Sequence, residues 1–279
     1  MMEIAISLAI IGIALVAIIG VLPYGMNVQQ DNRQETIIDQ DASVFMEAVR
    51  NGSLGLNDLT NYVYAITNYW AEFAPAASGG QTNAAGVNGY TYSAWSISPS
   101  TGYYTEYGGA LSNGANIIGL MSTPEFTDGS GNPLSTIYNG GYSNHVVVYT
   151  YSISGPAIQK PPQDNSIVRQ DDFGYRIYCV NAPVPANTNE LILSGGKQTA
   201  YEQEMSAALT ELRLSFEWPQ LPNGHLGSGR QTFRTLVAGR LWFQPPYNPG
   251  NLAFGIPPSP VYYNSNFYYY QSQWFTNAL

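Results

Sequence analysis

Two histidines, one cysteine and nineteen acidic side chains are what this 279-residue chain offers for acid–base, nucleophilic or metal chemistry. His145 stands beside the start of a strand-like run and His225 in a glycine-rich loop. Neither belongs to a His-x-x-x-His pair and Cys179 is alone, so a zinc site has little to draw on. No Gly-x-Ser-x-Gly elbow and no phosphate-binding glycine pattern occurs. Asp171 and Asp172 are adjacent; in a strand such neighbours point to opposite faces, so they read as a solvated turn rather than a working carboxylate pair. Asp128-Gly129-Ser130-Gly131-Asn132 spaces oxygen atoms two residues apart, as the first half of a calcium loop does. Asp128, Ser130 and Asn132 are therefore weak calcium candidates, although the distal glutamate is missing and the composition is also that of an ordinary turn. The motifs assign no catalytic residue and no cofactor, and the chain is not expected to be an enzyme.

Glu3 is the carboxylate with the most unusual surroundings. It stands at the lip of Ile4–Leu22, nineteen residues without a charge in which Ser7 is the one hydrophilic side chain. As a helix this run is roughly 28 Å long, close to the hydrocarbon thickness of a bilayer. A carboxylate at that edge is costly and is usually kept for a reason; the plainer reading is an acid favoured by the helix dipole. A secretory signal would have a basic leading region and a shorter apolar core, whereas the first basic residue here is Arg33.

The stretch from Met2 to Ile19, with Glu3 and the Ala9-Ile10-Ile11-Gly12 segment, resembles the N-terminal segment of type IV pilins and type II secretion pseudopilins. The resemblance covers about 25 residues. It implies that Glu3 is the family's acid, which pairs with the N-terminal amine of a neighbouring subunit. It also implies that Gly12 and the helix-breaking zone at Pro23 belong to the assembly segment. An unpaired charge in an apolar filament core costs several kcal/mol and a paired one much less, which fits that role. Implied partners are copies of the chain in a helical filament, the bacterial inner membrane before assembly, and prepilin peptidase with the pilus assembly machinery. The implied location is the inner membrane as precursor, then a cell-surface filament or a periplasmic pseudopilus. Family members carry four residues ahead of the acid, preceded in precursors by a basic leader. Two stand here, for which trimming is the expected reason.

These residues need an element to present them. Gly20, Pro23 and Gly25 predict a kink or a locally melted stretch. Helical spacing resumes over 27–50, with Ile38, Ala42, Phe45 and Val49 on a face that packs on the rest of the chain. Asp31, Arg33, Glu35, Asp39 and Glu47 are left wet or facing neighbours, and Asn51-Gly52-Ser53 ends the helix. A second helix is expected over 57–73, from the spacing of Leu59, Val63, Ile66, Trp70 and Phe73. The stretch 75–89 reads as a surface loop and 90–98, 146–153 and 175–180 as strands. In 211–218, Leu212, Leu214, Phe216 and Trp218 alternate with polar residues, a half-buried strand closed by Pro219. It is expected to pair antiparallel with 231–243.

Composition sets the outer bounds. Charged residues are 10 % of the chain, under half the usual share, while 22 tyrosines suit a β-rich protein with broad contact surfaces. A net charge of −9 argues against a nucleic-acid partner, because phosphate binding relies on clustered Lys and Arg. The tyrosine-rich end supplies Tyr268, Tyr269, Tyr270 and Trp274 as candidate interface aromatics, against the alternative of a tail packed on its own head. The expected fold is α+β: a long apolar N-terminal helix (1–50) carrying a β-rich globular head (51–279). The expected function is a structural subunit of a type IV pilus-like or pseudopilus filament. The alternatives are a membrane-tethered, non-polymerising β-rich binding module or adhesin, and a cell-surface hydrolase on a β scaffold.

Overall fold

The structure, a computed structural model, describes residues 2–52, 57–92, 104–154, 173–184, 208–221, 223–244 and 267–271. It is α+β: a long apolar helix, α1 (Met2–Asn51), followed by an antiparallel-dominated sheet with one short helix. The strands are β1 (Val63–Phe73), β2 (Thr82–Tyr90), β3 (Tyr104–Tyr107), β4 (Phe126–Thr127), β5 (Gly141–Tyr151), β6 (Gly174–Pro183), β7 (Leu209–Gln220), β8 (Leu226–Ala238), β9 (Arg240–Gln244) and β10 (Phe267–Gln271). The main sheet has the order β3-β2-β1-β5-β6-β7-β8, with β4 on β5; β9 and β10 form a separate two-stranded sheet. The β2–β3 pair is parallel and every other pair is antiparallel.

Helix α1 runs through Gly20–Gly25 without interruption, so the expected locally melted stretch is absent. Proline removes one hydrogen bond from the ladder, and the bonds on either side hold the helical course. At the other end Gly52 adopts φ +58° and its N–H reaches the Val49 carbonyl at 3.2 Å. A Cβ there would lie 2.8 Å from the Tyr270 carbonyl oxygen, so glycine both ends α1 and lets β10 approach it.

Between these ends the helix divides by environment. Every described side chain before residue 38 is exposed or only partly covered. Ile38, Ala42, Phe45 and Val49 are all fully buried, on the face their spacing indicates. Phe45 lies 6.5 Å from Phe216 of β7, and Phe216 stands 5.5 Å from both Tyr175 of β6 and Phe233 of β8. Burying side chains such as Ile38, Phe45 and Val49 contributes about 1.5–3 kcal/mol each. Helix α2 (Gly114–Met121), which the sequence reading passes over, fills the same core with Ile117, Ile118, Leu120 and Met121. Its N-terminus is capped by the Asn113 side chain, which accepts from Ala115 N–H at 2.8 Å.

Three expectations are corrected. The segment 57–73 is a 3₁₀ turn (Asn57–Asn61) leading into β1, not a helix. Val63 and Ile66 are buried although three apart, because the register with β5 shifts between Val63 and Ala65. That bulge imitates helical spacing, while pairing with β2 and β5 on both sides decides the strand. The second half of the supposed 75–89 loop is β2, whose small residues pair with β1 from Tyr90 opposite Ile66 to Thr82 opposite Phe73. Finally, β7 continues past Pro219 to Gln220, and the 231–243 run divides at Gly239 into β8, paired with β7, and β9, paired with β10.

Candidate assembly surface

The apolar run of α1 projects bare. Met2 is 83 % exposed, Ile13 72 % and Val16 73 %, with Ile4, Ile6, Leu8, Ile10 and Ile11 close behind. This is one helix long and apolar enough to cross a membrane, and none of its most apolar window is covered by the head. A contiguous exposed apolar surface of this kind is unusual on a soluble domain, and an N-terminal helix of this composition is compatible with a membrane anchor or a signal sequence. Glu3 sits in the first turn, its backbone carbonyl accepting from the Ser7 hydroxyl at 2.9 Å. A Cβ at Gly12 would meet nothing within 4 Å, so the chain's own packing does not ask for glycine there. Pro23 lies inside the continuous helix.

What aims this surface is the joint between α1 and the head, and its central residue is Asp41, which the sequence reading misses. The carboxylate is fully buried. Its Oδ2 accepts from Ile153 N–H at 2.9 Å and from the Tyr175 hydroxyl at 2.8 Å. Its Oδ1 accepts from Ser154 N–H at 2.8 Å and from the Ser154 hydroxyl at 2.5 Å. One helix residue thus gathers the segment that follows β5 and the start of β6. Burial pushes the Asp41 carboxyl above the usual carboxylate value, against the hydrogen bonds from Ser154, Tyr175 and the Ile153 amide, which pull it down. Burial, together with the charge of Asp41, drives the Tyr175 hydroxyl well above the ordinary tyrosine value. The signal was readable: Asp41 falls between Ile38 and Phe45 on the apolar stripe, where a carboxylate needs a dedicated set of donors. A second tie is Gln231 of β8, whose side-chain amide donates to Asp39 Oδ1 at 2.9 Å.

The other sequence candidates have structural employment. The Asp128 carboxylate accepts from Ser130 N–H, Asn132 N–H and Asn132 Nδ2, each at 2.8 Å. Burial pushes its carboxyl up, but the hydrogen bonds from the Asn132 side chain and from the backbone amides of Asn132, Ser130 and Gly131 together hold it below the usual value. The Asp128 carboxylate oxygens therefore close a turn. Tyr268 and Tyr270 of β10 are buried and Tyr269 is half-buried. Their hydroxyls donate to the Gly131 carbonyl (2.6 Å), the Asn181 side-chain oxygen and the Ala115 carbonyl (2.8 Å), respectively. These three rings clasp their own head, and Trp274 lies outside the described residues. So do Asp171 and Asp172. Cys179 is buried, and burial raises its thiol far above the usual value, which keeps it protonated and unreactive. His145 is exposed on β5, opposite Tyr69 of β1, and His225 is exposed in the β7–β8 turn. Among the described residues no three His, Cys, Asp or Glu side chains gather as they would around a metal ion. Set beside known proteins, the chain matches no family model, no curated sequence and no solved structure.

Proposed function

We propose that this chain is the structural subunit of a type IV pilus-like or pseudopilus filament, held in a membrane by its apolar helix and then packed through that helix against copies of itself. The observation that carries this reading is the pairing of an exposed apolar half of α1 with a half docked on the head through a buried stripe and the hydrogen bonds of Asp41. A fixed joint makes every subunit present its helix at one angle, which a repeating assembly requires. Glu3 at the start of the run and an open Gly12 suit close helix–helix approach between copies, where small residues let backbones come together. In this reading the machinery of the chain is packing and charge pairing, and no side chain performs catalysis.

The test is electron microscopy of material sheared from cells, with mass spectrometry of its N-terminal peptide. Fibres built of this chain, starting just ahead of Glu3, are expected. Glu3→Ala should stay folded and membrane-inserted while fibre yield collapses. Recovery of the wild type solely with membranes, with no fibres, would leave a tethered β-rich binding module in place of a filament subunit.

A further inference from the structure

The sheet face turned away from α1 carries a concentration of cations unusual for an acidic chain. Cross-strand register places Arg176, Glu217 and Arg230 in one row and Arg213 opposite Arg234 in another. These four arginines are nearly half of the chain's ten basic residues. Two carboxylates share the face: Glu217 pairs with Arg230, and Glu211 lies 3.6 Å from Arg213 and 3.9 Å from Arg234. Arg230 and Arg234 remain 72 % and 65 % exposed. Like charges directly opposite across two strands destabilise a sheet, and a single Glu211 serves both Arg213 and Arg234. The face is therefore incomplete in the isolated chain and suited to further carboxylates.

The same chain offers those carboxylates. Asp31, Glu35 and Asp39 fall at i, i+4 and i+8 of α1, a single stripe of like charge that repels itself. Asp39 is tied to Gln231 at the head; Glu35 and Asp31 lie one and two turns further out, exposed and with no partner among the described residues. We infer that the Arg213/Arg234 face of one subunit receives the Asp31/Glu35 stripe of a neighbouring copy, a contact between two different surfaces of identical chains. Such a contact leaves a free surface at each end, so it propagates into an open filament wherever its rotation does not close a ring, and it fixes register through charge complementarity. The inference rests on the filament reading and names a contact within it. Each exposed ion pair contributes little alone and is weakened by salt.

The experiment is a charge swap in the full chain, read as fibre yield from sheared cells at low and high salt. The head's thermal melt serves as a folding control. Asp31→Lys with Glu35→Lys touches no head contact and should lower yield about tenfold at low salt. Arg213→Glu with Arg234→Glu should do the same, and Arg234→Glu alone keeps the test open if that pair lowers the melt. Combining the two swaps should restore yield, because both partners are then reversed. Wild-type yield from either swap would overturn the contact. So would failure of the combined, folded variant to recover. Loss from the arginine swap with none from the stripe swap would assign the face to another anion and overturn it as well. Absence of fibres from the wild type would bring down the filament reading itself.

Discussion

The two halves of α1 are built from one continuous helix and obey opposite rules. Before residue 38 the helix is apolar all round where it is apolar at all, and its described side chains are exposed apart from Gln34 and Ile37, which are partly covered next to the joint. After it, a narrow stripe of Ile38, Asp41, Ala42, Phe45, Ala48 and Val49 is buried and the opposite side is wet. A surface apolar on every side has no preferred partner within its own chain and is finished by lipid or by other helices. A striped surface is finished by its own fold. The placement of one carboxylate sharpens the contrast: Glu3 is exposed at the outer end, while Asp41 is buried with four donors around it. The lesson is that hydrophobicity alone says that a helix is buried, while its angular distribution says by what.

The comparison breaks most visibly at Phe45. Phe45→Ala opens a cavity against Phe216 and should cost the head about 3–5 kcal/mol in urea unfolding. Ile13→Ala, in the bare half, should leave that midpoint where it is; an equal loss from both would erase the distinction.

Asp41→Asn comes next. An amide cannot accept from all four donors, so about 2–3 kcal/mol should be lost. Its pH dependence sharpens the point. The folded carboxyl titrates above its ordinary value of 3.8, so the folded state binds more protons than the unfolded one as pH rises past that value. Unfolding free energy should therefore fall from pH 3.8 up through the folded titration, and then level off. Asp41→Asn should lack this slope, and a wild-type slope of the opposite sign would show that the hydrogen bonds outweigh burial. The smallest effect belongs to the turn at Asp128. Asp128→Ala should cost about 1 kcal/mol, because its carboxylate closes the turn, and calcium or a chelator should leave the wild-type melting temperature unchanged.

How legible this was in the sequence depends on whether a pattern was local. The docking face of α1 and the alternation of β7 are set by residues within one element, and both read correctly from Ile38 to Val49 and from Leu212 to Trp218. Strand β1 did not, because a bulge near Val63 turned a two-residue period into a helical one. Strand β2 is built from Thr82-Asn83-Ala84-Ala85-Gly86, residues with weak strand preference that are held by the ladder to β1. Asp41 could be flagged from its place on the apolar stripe, but its donors, Ile153, Ser154 and Tyr175, lie more than a hundred residues away and no local pattern names them.

The clasp made by Tyr268, Tyr269 and Tyr270 has a consequence in time. These three residues fasten the segments at Gly131, Ala115 and Asn181, and β10 abuts the end of α1 at Gly52. During synthesis the apolar helix leaves the ribosome well ahead of this strand. The most water-averse part of the molecule must therefore be sheltered, in lipid or by a chaperone, while all the strands of the head are made. A chain cut short before residue 267 would carry the bare apolar helix on a head without this clasp.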